Sequence, residues 1–133
     1  SGTIIAVIPA ALRAVLKSVT KYTDNTGGGS TEASNVTATT DYFFLLSQYE
    51  VFGSASHANS NEGSKQAQYA YYSAGNSKIK YKHNGTTNVA NWWLRSPFVR
   101  SSYNFVNVSS NWGGGVGDDN AHFSLGFAPG FCV

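Results

Sequence analysis

The residues of this 133-residue chain that could perform chemistry are three histidines, three glutamates, four aspartates and one cysteine. His57 lies in a polar loop, His83 at a turn and His122 near the last strands, and no two share a ligand spacing such as His-x-x-x-His. All three read as isolated surface histidines. Glu32, Glu50 and Glu62 are too dispersed in sequence to propose an acid–base pair. Asp118 and Asp119, followed by Asn120, could offer oxygens to calcium. The alternating ligands and closing glutamate of a calcium loop are absent, and a tight polar turn with both acids exposed is the expectation. Cys132, the only cysteine, excludes an internal disulfide and a multi-cysteine metal site, and among apolar neighbours it reads as a buried inert thiol. "TDNTGGGS" lacks the Lys-Ser/Thr of a phosphate-binding loop and follows a helix instead of preceding one. No catalytic, cofactor or metal site emerges from these residues.

The elements that would position any site follow from pattern. The chain fits one domain with one core. Hydrophobic residues make up 41%, while charged residues reach only 12%, so hydroxyls and amides cover the surface. Three Trp, eight Tyr and eight Phe argue against disorder. A net charge of +2 with scattered Lys and Arg is too small for nucleic-acid binding. Lys78, Lys80 and Lys82 alternate along one side of a strand, as a solvated edge would. No apolar run is long enough for a membrane span. "IIAVIPAALRAVL" is apolar, but Arg13 and its periodicity mark an amphipathic helix and not a signal peptide. The chain opens Ser1-Gly2 and holds no methionine, so a cloning remnant, or the C-terminal part of a longer protein, is expected.

Pro9 suits a helix start, and Leu12, Val15, Leu16 and Val19 predict one helical face running to about Tyr22. "YFFLLS" predicts a buried strand, followed by a turn of helix ending at Gly53. Ser64 predicts a cap for a second helix through Ala67, Ala70, Tyr71 and Ala74, closed by Gly75. Short strands then follow in "KIKYKH", "NWWLRS", "NFVNV", "HFSLGF" and "GFCV", with a turn at Asn84-Gly85. Helix, strand, helix and several strands make an α+β domain. Trp92 and Trp93 should point to opposite strand faces, with Leu94 on the Trp92 side and Arg95 on the Trp93 side. Arg95 is expected to brace backbone carbonyls or a carboxylate, and Pro97 to end the strand.

The combination "FFLLSQYEVFG", "NWWLRSP" and "GFAPGFCV", together with "KYTDNTGGG" and "SKQAQYAYYSAG", resembles C-type-lectin-fold domains of gut-bacterial and prophage proteins. It looks most like the variable proteins of diversity-generating retroelements. The resemblance covers nearly the whole chain, 1–133. It implies a C-type-lectin-like fold of two helices packed on short antiparallel strands with long irregular loops. It also implies a fixed frame of Trp92, Trp93, Leu94, Arg95, Gly126, Pro129 and Cys132. In such systems a reverse transcriptase misreads template adenines, so AAC codons scatter to fifteen residue types that exclude Lys, Glu, Gln, Met and Trp. Residues 98–125 contain no Lys, Glu, Gln or Met, although the rest of the chain carries six Lys, three Glu and three Gln. Trp112 alone falls outside the permitted set. The departures are equally plain. The Glu-Pro-Asn and Trp-Asn-Asp triplets of calcium-dependent lectins are absent, as is the cysteine pair of formylglycine-generating enzymes.

Tyr, Ser, Asn and Gly with an occasional Arg or Trp are what a paratope uses, and loops on a rigid scaffold are where such a surface belongs. Alternation in "NFVNVSS" sends Val106 and Val108 inward and Asn107 and Ser109 outward, with Phe105 outward but set aside as a fixed position of the resemblance. The expected contacts are Phe98, Arg100, Ser101, Ser102, Tyr103, Asn107, Ser110, Asn111, Trp112, Asp118, Asp119 and His122. The implied function is ligand recognition without catalysis, cofactor or metal. Its partner would be a protein or glycan on a bacterial or host surface, met from a phage tail tip or a bacterial cell surface. The alternative is an assembly module of a phage tail or surface appendage that docks another subunit through this face. Oligomeric state is left open by the sequence.

Overall fold

β-Branched and aromatic side chains decide where this chain becomes regular. The computed structural model describes residues 6–26 and 31–133. Helix α1 (Ala10–Arg13) precedes strands β1 (Val19–Asp24) and β2 (Val36–Asp41), which pair antiparallel. Helices α2 (Gln48–Phe52) and α3 (Ala70–Ser73) follow, then the two-residue strands β3 (Lys80–Tyr81) and β4 (Val89–Ala90), also paired. β5 (Trp92–Pro97), β6 (Asn104–Ser109) and β7 (Gly115–Asn120) form a three-stranded antiparallel sheet in that order. The protein is thus a small domain that mixes a few short helices with short antiparallel sheets.

The first helix stops a full two turns before the expected end at Tyr22. Val19, Thr20, Tyr22 and Thr23 favour an extended backbone, and "VTATTD" in β2 supplies a matching partner. Apolar spacing over Leu12–Val19 therefore lost to β-propensity, and Val15 is 52% exposed. The glycine-rich stretch 27–30 lies outside the described residues. "YFFLLS" pairs at a single point, Phe44 with Gly130, where an added Cβ would lie 2.6 Å from the Phe44 ring.

α2 obeys its local code. Ser47 Oγ accepts from the Glu50 N–H at 3.1 Å, Glu50 Oε2 accepts from the Ser47 N–H at 2.9 Å, and Gly53 caps the end at φ 68°. The second expected helix keeps only its last turn, α3. A 3-10 helix, Ser60–Lys65, runs through the expected cap at Ser64, and the expected first half, 66–69, is extended chain docked on α2 and β1. The Tyr69 N–H donates to the Glu50 carbonyl, Gln68 Nε2 to the Val51 carbonyl and Gln66 Nε2 to the Tyr22 carbonyl. Those bonds satisfy carbonyls at the end of α2 and on β1, which outweighs continuing a helix of alanines. Among the later strands, "HFSLGF" contributes only a bridge at Gly126 to Trp92, and "GFCV" only bridges through Gly130 and Cys132.

The core gathers Val51 of α2, Ala58, Tyr72 of α3, Trp92 and Leu94 of β5, and Val106 and Val108 of β6. Beside it runs a buried polar network. Lys21 Nζ and Arg95 Nη1 each donate to Glu50 at 2.6 Å. Arg95 also donates to the Leu45 and Tyr22 carbonyls and to Gln66. Burial pushes the Glu50 carboxyl up, but the two cations outweigh it and hold it below the usual carboxylate range. Glu62 differs: burial raises its carboxyl, and bonds from Ser96 Oγ (2.5 Å) and the Asp24 N–H (3.0 Å) offset this only in part.

A raised carboxyl favours folding below the ordinary glutamate pKa and loses that advantage as pH rises through the folded-state value. Glu62→Gln keeps an acceptor for Asp24 and can donate to Ser96. Urea titrations should therefore show Glu62→Gln gaining on the parent between acid and neutral pH. A parent that gains on the variant over that range would contradict this environment for Glu62.

Candidate functional site

Pairing places residues 98–125 on one sheet and its connections. Pro97 closes β5, a loop at 98–103 leads to β6, a 3-10 turn (Ser110–Trp112) leads to β7, and β7 returns beside β6. In the antiparallel register Val106 faces Asp118 and Val108 faces Val116, so these residues share the core side. Phe105 faces Asp119 and Asn107 faces Gly117 on the opposite, outer side, to which Trp93 of β5 also belongs.

The twelve expected contacts are not one contiguous patch. Arg100, Ser101, Ser102 and Tyr103 cluster at one end of the sheet with His122, because the Ala121 N–H donates to the Tyr103 carbonyl at 2.9 Å. Arg100, Ser102, Tyr103 and His122 are exposed, and Ser101 is half-buried. Ser110, Asn111 and Trp112 stand at the other end, beyond a six-residue strand spanning roughly 17 Å. Asn111 and Trp112 are exposed, while half-buried Ser110 is tied to Asn91 Oδ1 through its N–H and Oγ.

Four expectations need correction. Asn107 does lie on the outer side by register, but it is 1% exposed, and its Nδ2 donates to Asp119 Oδ2 at 2.9 Å. Trp112 packs over neighbouring Gly117 and helps cover it. Asp118 and Asp119 do not form an exposed turn, since both lie on β7 and point to opposite faces. Strand-poor "GVGDDN" is extended because β6 pairs along its whole length, which sequence preference did not foretell. Phe98 is half-buried against the His57 ring, with centroids 5.5 Å apart. Cys132 is half-buried instead of buried and lines an aromatic cavity of about 330 Å³ with Phe44, Tyr69 and Phe131.

Of the frame residues, Trp92 and Leu94 are each 1% exposed, and Trp92 Nε1 donates to the Lys78 carbonyl at 2.9 Å. Trp93 is half-buried and lines an outer apolar cavity of about 380 Å³ with Leu45, Phe105 and Ala121. Arg95 braces β1 and α2 through the bonds above. The Gly126 N–H donates to the Asn91 carbonyl at 2.7 Å, and Pro129 is exposed. Phe105, set aside in sequence, is 37% exposed beside that cavity, and alternation alone would have found it.

His57 also acquires neighbours that its sequence position did not suggest. Its Nε2 lies 3.8 Å from Asp118 Oδ1, and its Nδ1 is 3.1 Å from Ser56 Oγ. A Ser–His–Asp relay needs hydrogen-bond contact between imidazole and carboxylate, and 3.8 Å exceeds it. Ser56 Oγ meanwhile accepts from Gln48 Nε2, and Asp118 Oδ2 accepts from Asn104 Nδ2. The contacts pin the 55–59 loop to β7. Among the described residues no three His, Cys, Asp or Glu side chains gather as a metal site, and no helix is long and apolar enough to cross a membrane.

No curated protein and no solved structure matches the chain. A family model described as "Domain of unknown function (DUF6273)" matches residues 2–133, and the chain belongs to that family.

Proposed function

We propose that this domain is a non-catalytic recognition module of the C-type-lectin-like fold, a variable protein of a diversity-generating retroelement. Its binding surface is the outer side of β6 and β7 with the two connections that flank it. One observation carries the reading. Tyr103, Phe105 and Trp112 are 63%, 37% and 66% exposed within the segment that lacks Lys, Glu, Gln and Met, while Val106 and Val108 of β6 are core. Phe105 stands on β6 itself, while Tyr103 and Trp112 sit in the connections at its two ends. Exposed aromatics anchored beside a locked strand are suited to binding because they carry few rotatable bonds. The short helices, short antiparallel sheets and long irregular connections support the fold assignment. A protein or glycan on a bacterial or host surface is the partner class, met from a phage tail tip or a bacterial cell surface.

The test is the DNA around the coding sequence. A near-copy of the codons for 98–125, differing at adenines and lying beside a reverse-transcriptase gene, is the expected finding. A coding sequence with no such copy in its genome contradicts the retroelement part of the reading.

A second reading, an assembly module, draws on a different surface. Phe127, Phe131 and Val133 are 54%, 44% and 61% exposed near the C-terminus. Light scattering across a concentration series separates the two readings: self-association abolished by Phe127→Ser and Phe131→Ser favours assembly, and a monomer favours recognition.

A further inference from the structure

We propose that the polar cavity beneath Trp112 receives a cationic head group, the ammonium or guanidinium of a lysine or arginine side chain on a protein ligand. The assignment rests on the recognition reading above and names the chemistry of its ligand. The cavity measures about 180 Å³, and Asn91, Asn107, Asn111, Trp112 and Asp119 are among its walls. Small-molecule pockets run to roughly 300–1,000 Å³, so this one suits the end of a side chain better than a free metabolite.

Charge selects the occupant. No Lys, Arg or His lines the cavity, and Asp119 has no salt-bridge partner among the described residues. Asp118 also borders the cavity, but its carboxylate is engaged on the other side of the sheet, with Oδ1 3.8 Å from His57 Nε2 and Oδ2 accepting from Asn104 Nδ2. A single uncompensated carboxylate facing a half-enclosed space favours one positive charge.

The amide below it adds a second, independent observation. Asn107 is 1% exposed, and its Nδ2 is committed to Asp119 Oδ2 at 2.9 Å. That bond fixes the amide, because exchanging its nitrogen and oxygen would set Oδ1 against a carboxylate. Asn107 Oδ1 is therefore left buried with no hydrogen-bond partner, turned toward Gly117 in the cavity wall. A buried acceptor without a donor is unfavourable, and a multidonor cation drawn in by Asp119 brings donors to the wall where that acceptor lies.

Trp112 completes the arrangement. Its Cζ3 lies 3.6 Å from where a Gly117 Cβ would stand, so the indole packs on β7 while the residue stays 66% exposed. A cation beside Asp119 would share the cavity with the Trp112 indole, the best aromatic partner for positive charge. Neutral donors also line the cavity, among them the side-chain amides of Asn91 and Asn111, so comparison with a methyl glycoside is what separates a cation from a sugar.

The probes are methylguanidinium chloride and its neutral isostere methylurea, titrated at constant ionic strength into the ¹⁵N-labelled domain. The readouts are the Trp112 indole N–H and the Asn107 side-chain amide resonances. Methylguanidinium should shift both saturably, methylurea at least tenfold more weakly, and Asp119→Asn should raise the methylguanidinium midpoint at least tenfold. Equal responses to both probes, no saturable shift, or shifts only with a methyl glycoside would overturn the assignment. The two probes compared on the parent protein decide the matter even if Asp119→Asn fails to fold. If the titration is silent while Tyr103→Ala and Trp112→Ala still abolish binding of a selected protein ligand, the assignment falls and the recognition reading stands.

Discussion

Replacing Glu50 by glutamine is expected to destabilise the domain by about 3–5 kcal/mol at neutral pH, the usual cost of breaking a buried ion pair from one side. Lys21, Arg95 and Glu50 have side chains 11%, 10% and 3% exposed, and both cations contact the one carboxylate at 2.6 Å. Glutamine keeps the acceptor that caps Ser47, so the helix start survives while two buried cations lose their counter-charge. The loss would take a large share of a typical stability of about 5–15 kcal/mol. Its pH dependence runs opposite to that of Glu62. A carboxyl held below its ordinary value contributes stability above the unfolded pKa and loses it as pH falls through the folded value. Denaturation midpoints should therefore separate the parent from Glu50→Gln widely at pH 7 and converge in acid. A difference below about 1 kcal/mol at pH 7 would mean that the cations relax to solvent without Glu50.

The second large effect falls on binding and spares stability. Tyr103→Ala and Trp112→Ala should each shift the thermal midpoint by no more than about 2 °C, as surface changes worth about 0.5 kcal/mol do. Trp92→Ala, by contrast, removes a 1%-exposed indole and should cost about 3–5 kcal/mol. For any protein ligand gripped by this face, loss of both exposed aromatics should weaken affinity by about 100-fold or more, since such anchors contribute about 2 kcal/mol each. Calorimetry with a binding assay on the same samples checks both halves. A drop of ten degrees for Trp112→Ala would place that ring in the fold's support and remove it from the binding surface.

What could be read from sequence and what could not divide along physical lines. Local codes were legible. Gly53 ended the expected turn of helix, and alternation put Val106 and Val108 inward and Trp92 on one face with Leu94; that this face, and not that of Trp93, is the core came from the structure. Arg95 bracing carbonyls and a carboxylate followed from its side of the strand.

Pairings made at a distance were not legible. Glu50 meets Arg95 across 45 residues, and no spacing rule announces that contact. β7 exists because β6 is beside it, and "GVGDDN" has no preference that would show it. For the same reason Asp118 and Asp119 read as an exposed turn, and only the register separates their directions. Asn107 lay on the expected side, yet it is buried beside Gly117 and bonded to Asp119, both brought from β7 by pairing.

The central claim is that this sheet separates a fixed core side from a surface free to vary and bind. The direct measurement is a display library of the domain with Arg100, Ser102, Tyr103, Asn111 and His122 randomised to the fifteen permitted residue types, selected against unrelated bacterial surface proteins. Most members should remain folded by protease resistance, and selection should yield binders whose contacts map to these positions. A collapse in the folded fraction, or a well-folded library from which no target recovers a binder, would contradict the claim.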